Sequence, residues 1–374
     1  MSDRLKDAYG PEVPRRIAAM VKAVHPAFPD RAFLRDALAG YEALELMPRG
    51  RHLARALARH LPRDFPEAAR ILVASMDAPV PPASGAMASF VFMPHAFFVA
   101  ENGLDHFEAA MAAQHAITQR FTAEFSIRPF LERHPERTLA RLAEWTRDAS
   151  PHVRRLVSEG TRPRLPWAPR LPAFQRDPSP VLALLEMLRD DPELYVRRSV
   201  ANNLNDIGKD HPAVLVATCR RWLESPTTPE RRWIVGHALR NAVKRGDAAA
   251  LRVLGFGGSA GLEVRDPAVT PKRAHVGGAV EIAFTVRNVS KSTQRAVVDF
   301  RIHYVKARGT TSPKVFKMRV VVLSPGAEAR LAKKVTLADL TTRRHHAGKH
   351  AVDALVNGTP APLGAFELAP VRIR

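Results

Sequence analysis

Cysteine is almost missing from this sequence. The one thiol, Cys219 among 374 residues, has no intramolecular disulfide partner and cannot found a cysteine-rich zinc site. Its apolar neighbours make it a small buried side chain. No HExxH motif and no Cys/His cluster occurs, so no metal and no cofactor is expected. Gly255-Phe256-Gly257-Gly258 lacks the following Lys-Ser/Thr and the helix of a phosphate loop. Long hydrophobic runs are missing too. None approaches the roughly 18 residues that cross a bilayer. The opening MSDRLKDAYG has nothing resembling the apolar core of a secretory signal, so a cytoplasmic protein is expected. Acidic residues are few beside basic ones: 37 against 57, a net charge of +20. With a pI near 10.9, an excess of this size suits a polyanionic partner, either nucleic acid or an anionic membrane surface.

What is present is room for two or three domains with real cores. The most ordered pattern runs from Asp191 to His211. Pro192 suits a helix start. Val196, Val200, Leu204 and Ile207 recur at helical spacing, and Arg198, Asn202, Asp206 and Lys209 fall on the opposite stripe. Gly208 is expected to close the helix. By itself this is an amphipathic helix with a solvated polar face. The pattern recurs, however. Val153-Arg154-Arg155 aligns with Val196-Arg197-Arg198 at an offset of 43, and Gly236-His237-Ala238-Leu239 aligns with Ala201-Asn202-Asn203-Leu204 at 35. Imperfect repetition at this period predicts a HEAT-like solenoid of helix pairs.

The rest of the chain fits around that array. Residues 1 to about 80 read as helical. One segment opens at Asp30 and carries its apolar face through Ala37, Leu38, Tyr41, Leu44 and Met47. Another has a basic edge of Arg49, Arg51, Arg55 and Arg59. Pro79, Pro81 and Pro82 with Ser84-Gly85 mark a break. Met87–Val99 reads as a buried helix or turn-helix, and Leu104–Phe130 as a helix that ends near Pro129. Glu124 lies inside the latter among Phe121, Phe125 and Ile127. It either faces water or pairs with Arg120 or Arg128. Pro163, Pro166 and Pro169 forbid a helix and hold an extended segment that carries Arg162, Arg164, Arg170 and Trp167. That segment is either a stiff linker or an arm that contacts phosphates.

Helical character ends in the Gly-rich stretch near 254–259. Alternating strands follow, as in Ala279–Val289 and Ala296–Val305, then at Phe316–Leu323, Arg330–Leu337, His350–Val356 and Gly364–Arg374. About seven short strands in this length predict an immunoglobulin-like sandwich without its disulfide. The fold class is therefore mainly α: a HEAT-like solenoid over 1–258, then a basic sandwich over 262–374. Residues 263–374 hold 20 Lys and Arg against 8 Asp and Glu, a balance of +12, and the remainder carries +8. A surplus so concentrated suits a clamp on a phosphate backbone. His345-His346 with Lys349-His350 is read as a loose, solvated basic stretch.

Aligned positions of a solenoid share one surface. Glu159 aligns with Asn202, and Asp206 lies one turn further on. His237 and Asn241 follow in the next unit, with Arg155, Arg198 and Arg240 on or near the same edge. A groove that only binds DNA would avoid carboxylates. Glu159 and Asp206 among arginines suit a developing positive charge. The alternative is a non-catalytic scaffold that binds DNA or protein through this surface.

RFTAEFSIRPFLERHPERTLARLAEW, HVRRLVSEGTRPRLPWAPRL and YVRRSVANNLNDIGKDHP resemble the bacterial DNA alkylation-repair glycosylases of the AlkC type, over essentially the whole chain. The appended sandwich separates this group from the shorter AlkD-type relatives. The resemblance implies a monofunctional DNA glycosylase that excises cationic N3-alkylated bases, 3-methyladenine and 3-methylcytosine, without a conventional base-flipping pocket. It places Glu124, Glu159 and Asp206 beside the deoxyribose, and Trp167 with the arginines around it at the DNA backbone. The expected DNA-binding set is Arg155, Arg162, Trp167, Arg198, Asn202, Asn203, His237 and Arg240. The expected partner is double-stranded DNA bearing alkylated bases, met by a monomer and with no membrane.

Overall fold

The computed structural model describes residues 5–78, 87–224, 226–258, 260–340 and 343–369. The proline break expected at Pro79–Gly85 lies outside the described residues. The N-terminal helices are α1 (Glu12–Val24), α2 (Asp30–Leu38), α3 (Leu46–His60), α4 (Phe65–Ser75), α5 (Met93–Asn102) and α6 (Phe107–Arg120). The middle of the chain forms α7 (Ile127–Arg133), α8 (Pro135–Trp145), α9 (Pro151–Gly160), α10 (Pro172–Arg176), α11 (Ser179–Met187) and α12 (Leu194–Asp210). Then come α13 (Pro212–Glu224), α14 (Pro229–Ala238), α15 (Arg240–Lys244) and α16 (Ala248–Val253). Among the described residues no helix is long and apolar enough to cross a membrane.

Proline starts many of the helices in this chain. It occupies the first turn of α4, α5, α8, α9, α10 and α11, where its fixed φ is an advantage and its missing N–H costs nothing. Pro129 is a case in point. It stands in the first turn of α7, so the expected helix from Leu104 to Phe130 is two helices, α6 and α7, separated by the irregular stretch Phe121–Ser126. Three further expectations change. The apolar face from Ala37 to Met47 is split by Gly40, whose φ is +67°. Gly208 does not end α12; it is buried inside the helix. The segment 229–247 is interrupted at Leu239 between α14 and α15.

The repeat is real at the level of atoms. Arg154 Nη1 donates to the carbonyls of Asp148 (2.8 Å) and Ala149 (3.0 Å) ahead of α9. Arg197 Nη1 donates to those of Asp191 (2.9 Å) and Pro192 (2.6 Å) ahead of α12. Both donors and all four acceptors keep the offset of 43. Asp148 and Asp191 each accept a backbone N–H two residues on, at 2.8 and 2.9 Å. The apolar stripe of α12 (Val196, Val200, Leu204 and Ile207) is buried against α9. Arg49 leaves the expected basic edge of α3. It is 6% exposed and donates to the carbonyls of Leu44, Lys6, Tyr9 and Glu42.

Past α16 the backbone turns to strands: β1 (Leu262–Thr270), β2 (Arg273–His275), β3 (Ala279–Asn288), β4 (Gln294–Val305), β5 (Thr311–Leu323), β6 (Glu328–Thr336), β7 (Gly348–Val356) and β8 (Thr359–Ala369). They form a sheet β1-β3-β6 and a sheet β2-β8-β7-β4-β5. Ile282, Phe284 and Val286 of β3 share one core with Phe300 and Ile302 of β4 and with Val352 and Ala354 of β7, all buried. The sequence pattern does not single out β1 and β2. The first carries a bulge between Arg265 and Ala268, which breaks its alternation, and the second has only three residues. His345 and His350 are not solvated: they are 8% and 0% exposed.

Two compact units make up the molecule. One comprises Met1–His211 with Thr227–His237. The other comprises Pro212–Pro226 with Ala238–Arg374. The second unit thus takes α13, α15 and α16 along with the sandwich, and its edge lies well before the change from helix to strand at 258–262. Within it the Asn357-Gly358 hairpin turn meets Gly246, the residue before the Asp247 that caps α16. A Cβ on Gly358 would stand 2.1 Å from Gly246 Cα, whereas Gly326, at the same φ of +78°, faces open space. Gly326→Ala is expected to cost only the left-handed backbone penalty of about 1–2 kcal/mol. Gly358→Ala adds overpacking of about 1–3 kcal/mol. Urea unfolding of the two variants measures the difference, and equal losses would mean that the approach to Gly246 yields freely.

Candidate active site

Where α9 ends, Gly160 is followed by the Thr161–Leu171 loop, and α12 passes beside it. Glu159 is the penultimate residue of α9 and Asp206 lies in the last third of α12. Both carboxylates are buried, 6% and 2% exposed. Arg162 lies between them. Its Nη1 donates to Glu159 Oε1 at 2.6 Å and its Nε to Asp206 Oδ2 at 2.8 Å. The ladder continues at both ends. Lys209 Nζ donates to Asp206 Oδ1 at 2.7 Å. Arg155 lies 3.7 Å from Glu159 and 2.6 Å from Glu124 Oε2. Burial pulls both guanidinium groups down. Glu124 and Glu159 around Arg155, and Glu159 and Asp206 around Arg162, outweigh it and hold them above the ordinary arginine value. Three carboxylates thus alternate with three cations.

The three carboxylates differ in what is left to them. Glu159 Oε2 accepts from Ser199 Oγ at 2.7 Å, and Ser199 in turn accepts from Ser158 Oγ at 2.7 Å. Both oxygens of Glu159 are therefore engaged, as are both of Asp206. Glu124 is different. It sits in the break between α6 and α7, and its Oε2 takes Arg155 and the Thr122 hydroxyl (2.9 Å). Its Oε1 has no partner among the described residues. Tyr195, 41% exposed, lies against the same group. Arg155 stands 5.2 Å from its ring centroid, and His152 meets it edge-on at 5.6 Å.

The proline segment is a loop, as the sequence predicts, and it is anchored from below. Arg128, 4% exposed, donates to the carbonyls of Gly160 (3.0 Å), Arg162 (2.9 Å) and Pro169 (2.6 Å). Burial pushes its guanidinium down to about 10. Arg164 Nε donates to Asp210 at 2.9 Å, and that hydrogen bond holds the Asp210 carboxyl below its usual range. Trp167 projects from the loop, 62% exposed, with a φ of +63° that a bulky residue rarely adopts.

Several site residues therefore stand where the sequence did not put them. Glu124 pairs with Arg155, not with Arg120 or Arg128. Arg120 pairs with Asp77, and Arg128 is spent on loop carbonyls. Arg162 does not project from an arm; it is 9% exposed between two carboxylates. Asn203 is fully buried and donates to the Ser158 carbonyl (2.8 Å) and to Thr161 (3.1 Å). Arg198 is exposed, and Asn202 is half-buried. His237 stacks on Trp233 at 4.9 Å in the first unit, and Arg240 belongs to the second unit. The sequence reading missed Tyr195, Ser199 and Arg128. Tyr195 had a signal: the offset of 43 aligns it with His152, the residue it touches.

Removing Arg162 tests how much the ladder holds. A surface arm residue changes stability by less than about 0.5 kcal/mol. A cation between two buried carboxylates is worth about 3–5 kcal/mol when removed alone. Arg162→Ala is expected to show the larger loss in denaturant unfolding. Adding Glu159→Gln and Asp206→Asn to it should restore part of that loss.

Residues 263–370 match the family model described as the C-terminal Ig-like domain of the uncharacterised protein YhaZ. The protein YhaZ of Bacillus subtilis (strain 168) is 37% identical over 355 residues, 95% of this chain and 96% of that one. The AlkC protein of Pseudomonas fluorescens, solved bound to DNA containing an abasic site analog and described as an alkylpurine DNA glycosylase, is 38% identical. It superimposes with a TM-score of 0.90 over 98% of this chain and 100% of its own. Matched along nearly its whole length by both, the chain belongs to the family that contains AlkC and YhaZ.

Proposed function

We propose that this protein is a DNA glycosylase that removes cationic N3-alkylated bases from duplex DNA, and that Glu124 is the carboxylate that meets the substrate. The observation that carries the reading is the Oε1 of Glu124, left without a partner among the described residues at the open end of a paired charge ladder. The kinship with a protein described as an alkylpurine DNA glycosylase supports the substrate class.

The chemistry asks for little more. Alkylation at N3 places a positive charge on the base, which then leaves without a general acid. Breaking the glycosidic bond builds oxocarbenium character at C1′. A carboxylate fixed beside C1′ stabilises that charge and orients the attacking water. Arg155 and Thr122 fix one oxygen of Glu124 and leave the other for this work. Glu159 and Asp206, with both oxygens engaged, hold Arg155 and Arg162 in place and do not touch the sugar. Lys209, the amine of the ladder, is tied to Asp206, which favours water as the nucleophile and a monofunctional reaction. The finer substrates in this reading are 3-methyladenine and 3-methylcytosine, and one unit of one chain supplies the whole site.

The DNA-facing residues follow from exposure. Trp167 and Arg198 are open to a backbone, whereas Arg162 and Asn203 are withdrawn from one. Asn202 and His237 remain candidates in the same unit. The sandwich, with its balance of +12, is assigned to the phosphate backbone.

Single-turnover release of free base from a duplex bearing one 3-methyladenine-type lesion tests the proposal. Glu124→Gln should slow excision by about 10²–10³, with DNA affinity and melting temperature unchanged. Asp206→Asn should lower the melting temperature and slow excision less. Duplex binding without any base release by the unaltered protein would return it to a scaffold.

Trp167→Ala is expected to weaken binding or slow turnover without abolishing either. Normal affinity and kinetics would make the loop a structural linker.

A further inference from the structure

Six cations line one cavity of the second unit. Lys244 and Arg245 come from the end of α15, Arg301 from β4, Lys306 from just past its end, Lys314 from β5, and Arg343 from the stretch before β7. The cavity measures about 740 Å³, within the range of small-molecule sites. No carboxylate lines it. The nearby Asp353 is already taken by Arg301 (2.7 Å) and His303 (2.9 Å). Burial, together with the charges of Arg343 and Lys244, pulls the Lys314 ammonium below its ordinary value. The cations therefore repel one another with too little counter-charge to offset it.

The floor adds an independent observation. Tyr304 lines the cavity, is 4% exposed, and its hydroxyl donates to no acceptor. Arg343 stands 5.1 Å from its ring centroid, and its charge and side-chain hydrogen bonding oppose the upward push of burial on the phenol; a guanidinium only donates, so the O–H itself is left without an acceptor. A buried hydroxyl left without an acceptor costs about 1–3 kcal/mol. It stays unmatched unless something in the cavity accepts from it. Behind it, Phe316 and His350 pack against the ring at 6.4 and 5.6 Å and keep it in place.

We infer that this cavity is an oxyanion site that takes a phosphate group, with the Tyr304 hydroxyl and the surrounding cations as donors. A phosphate supplies the charge that the lining lacks and several acceptor oxygens. The group has two possible sources, a free phosphate compound or the backbone of a nucleic acid. The inference deepens the assignment of the sandwich to the phosphate backbone and does not depend on base excision, since it concerns anion binding in the other unit.

Titration calorimetry of the full chain with inorganic pyrophosphate tests it. Saturable one-site binding is expected. Lys314→Gln with Arg343→Gln should weaken it at least tenfold, and Tyr304→Phe, which removes only the hydroxyl, severalfold. Lys291→Gln with Lys334→Gln removes the same charge from exposed positions of the sandwich and should change it less than twofold. Competition by an undamaged duplex would identify the backbone as the source, and lack of competition a free compound; both support the site. Absent saturation, an unchanged affinity in Tyr304→Phe, or equal losses in the two lysine-bearing pairs would overturn it and leave only general attraction to a basic protein.

Discussion

The polar interior between α9 and α12 turns on the Arg162 guanidinium. Two buried carboxylates from different helices, Glu159 of α9 and Asp206 of α12, would repel each other at close quarters in a poorly solvated place. Arg162 joins them with one planar group whose Nε and Nη1 point in different directions, a geometry that lysine cannot supply. The backbone must then bring residue 162 back under the end of α9. Thr161 and the first proline turn achieve this, and Arg128 fixes the result by gripping three carbonyls of the loop. Loop, helix ends and charge ladder are one construction. Trp167, held at a left-handed φ, is its exposed product.

The solenoid repeat explains how so much charge is organised without being wasted. At the starts of α9 and α12, the repeat-equivalent helices, one arginine of a Val-Arg-Arg triplet clamps the incoming carbonyls: Arg154 in α9 and Arg197 in α12. The neighbouring arginine is thereby released from structural duty. Arg155 enters the carboxylate ladder, and Arg198 stays at the surface. Structural and chemical roles alternate along the sequence because adjacent helical residues face about 100° apart. The Tyr195–His152 contact belongs to the same scheme, since equivalent positions of stacked repeats lie side by side.

Electrostatics in the two units follow opposite logic. In the ladder of the first, three carboxylates alternate with three cations, and among the described residues one oxygen of Glu124 is left without a partner. In the second, cations crowd a cavity without matching acids, and a buried hydroxyl lacks an acceptor. Matched charge fixes geometry, while unmatched charge leaves something for a ligand to complete.

The sequence by itself determined the order of the helical and strand-rich parts and most of their elements, though not β1, β2 or the break between α6 and α7. Periods of 3.6 and 2 are local, and the offset of 43 was visible in three letters, Val-Arg-Arg. It also singled out Glu124, Glu159 and Asp206, which the structure brings into one charge ladder. It misplaced helix ends at Pro129 and Gly208, since proline opens helices as readily as it closes them and a buried glycine is invisible to a local rule. Only the tertiary structure decided the pairing: that Glu124 meets Arg155 from α9, that Arg162 turns inward, and that His345 and His350 are buried behind Tyr304. Partners of long charged side chains are chosen by distances between helices far apart in the chain, and a cation flanked by prolines reads as exposed until the loop is seen to fold back. Pairing energy depends on three-dimensional separation and solvent access, and neither quantity is written in the order of the residues.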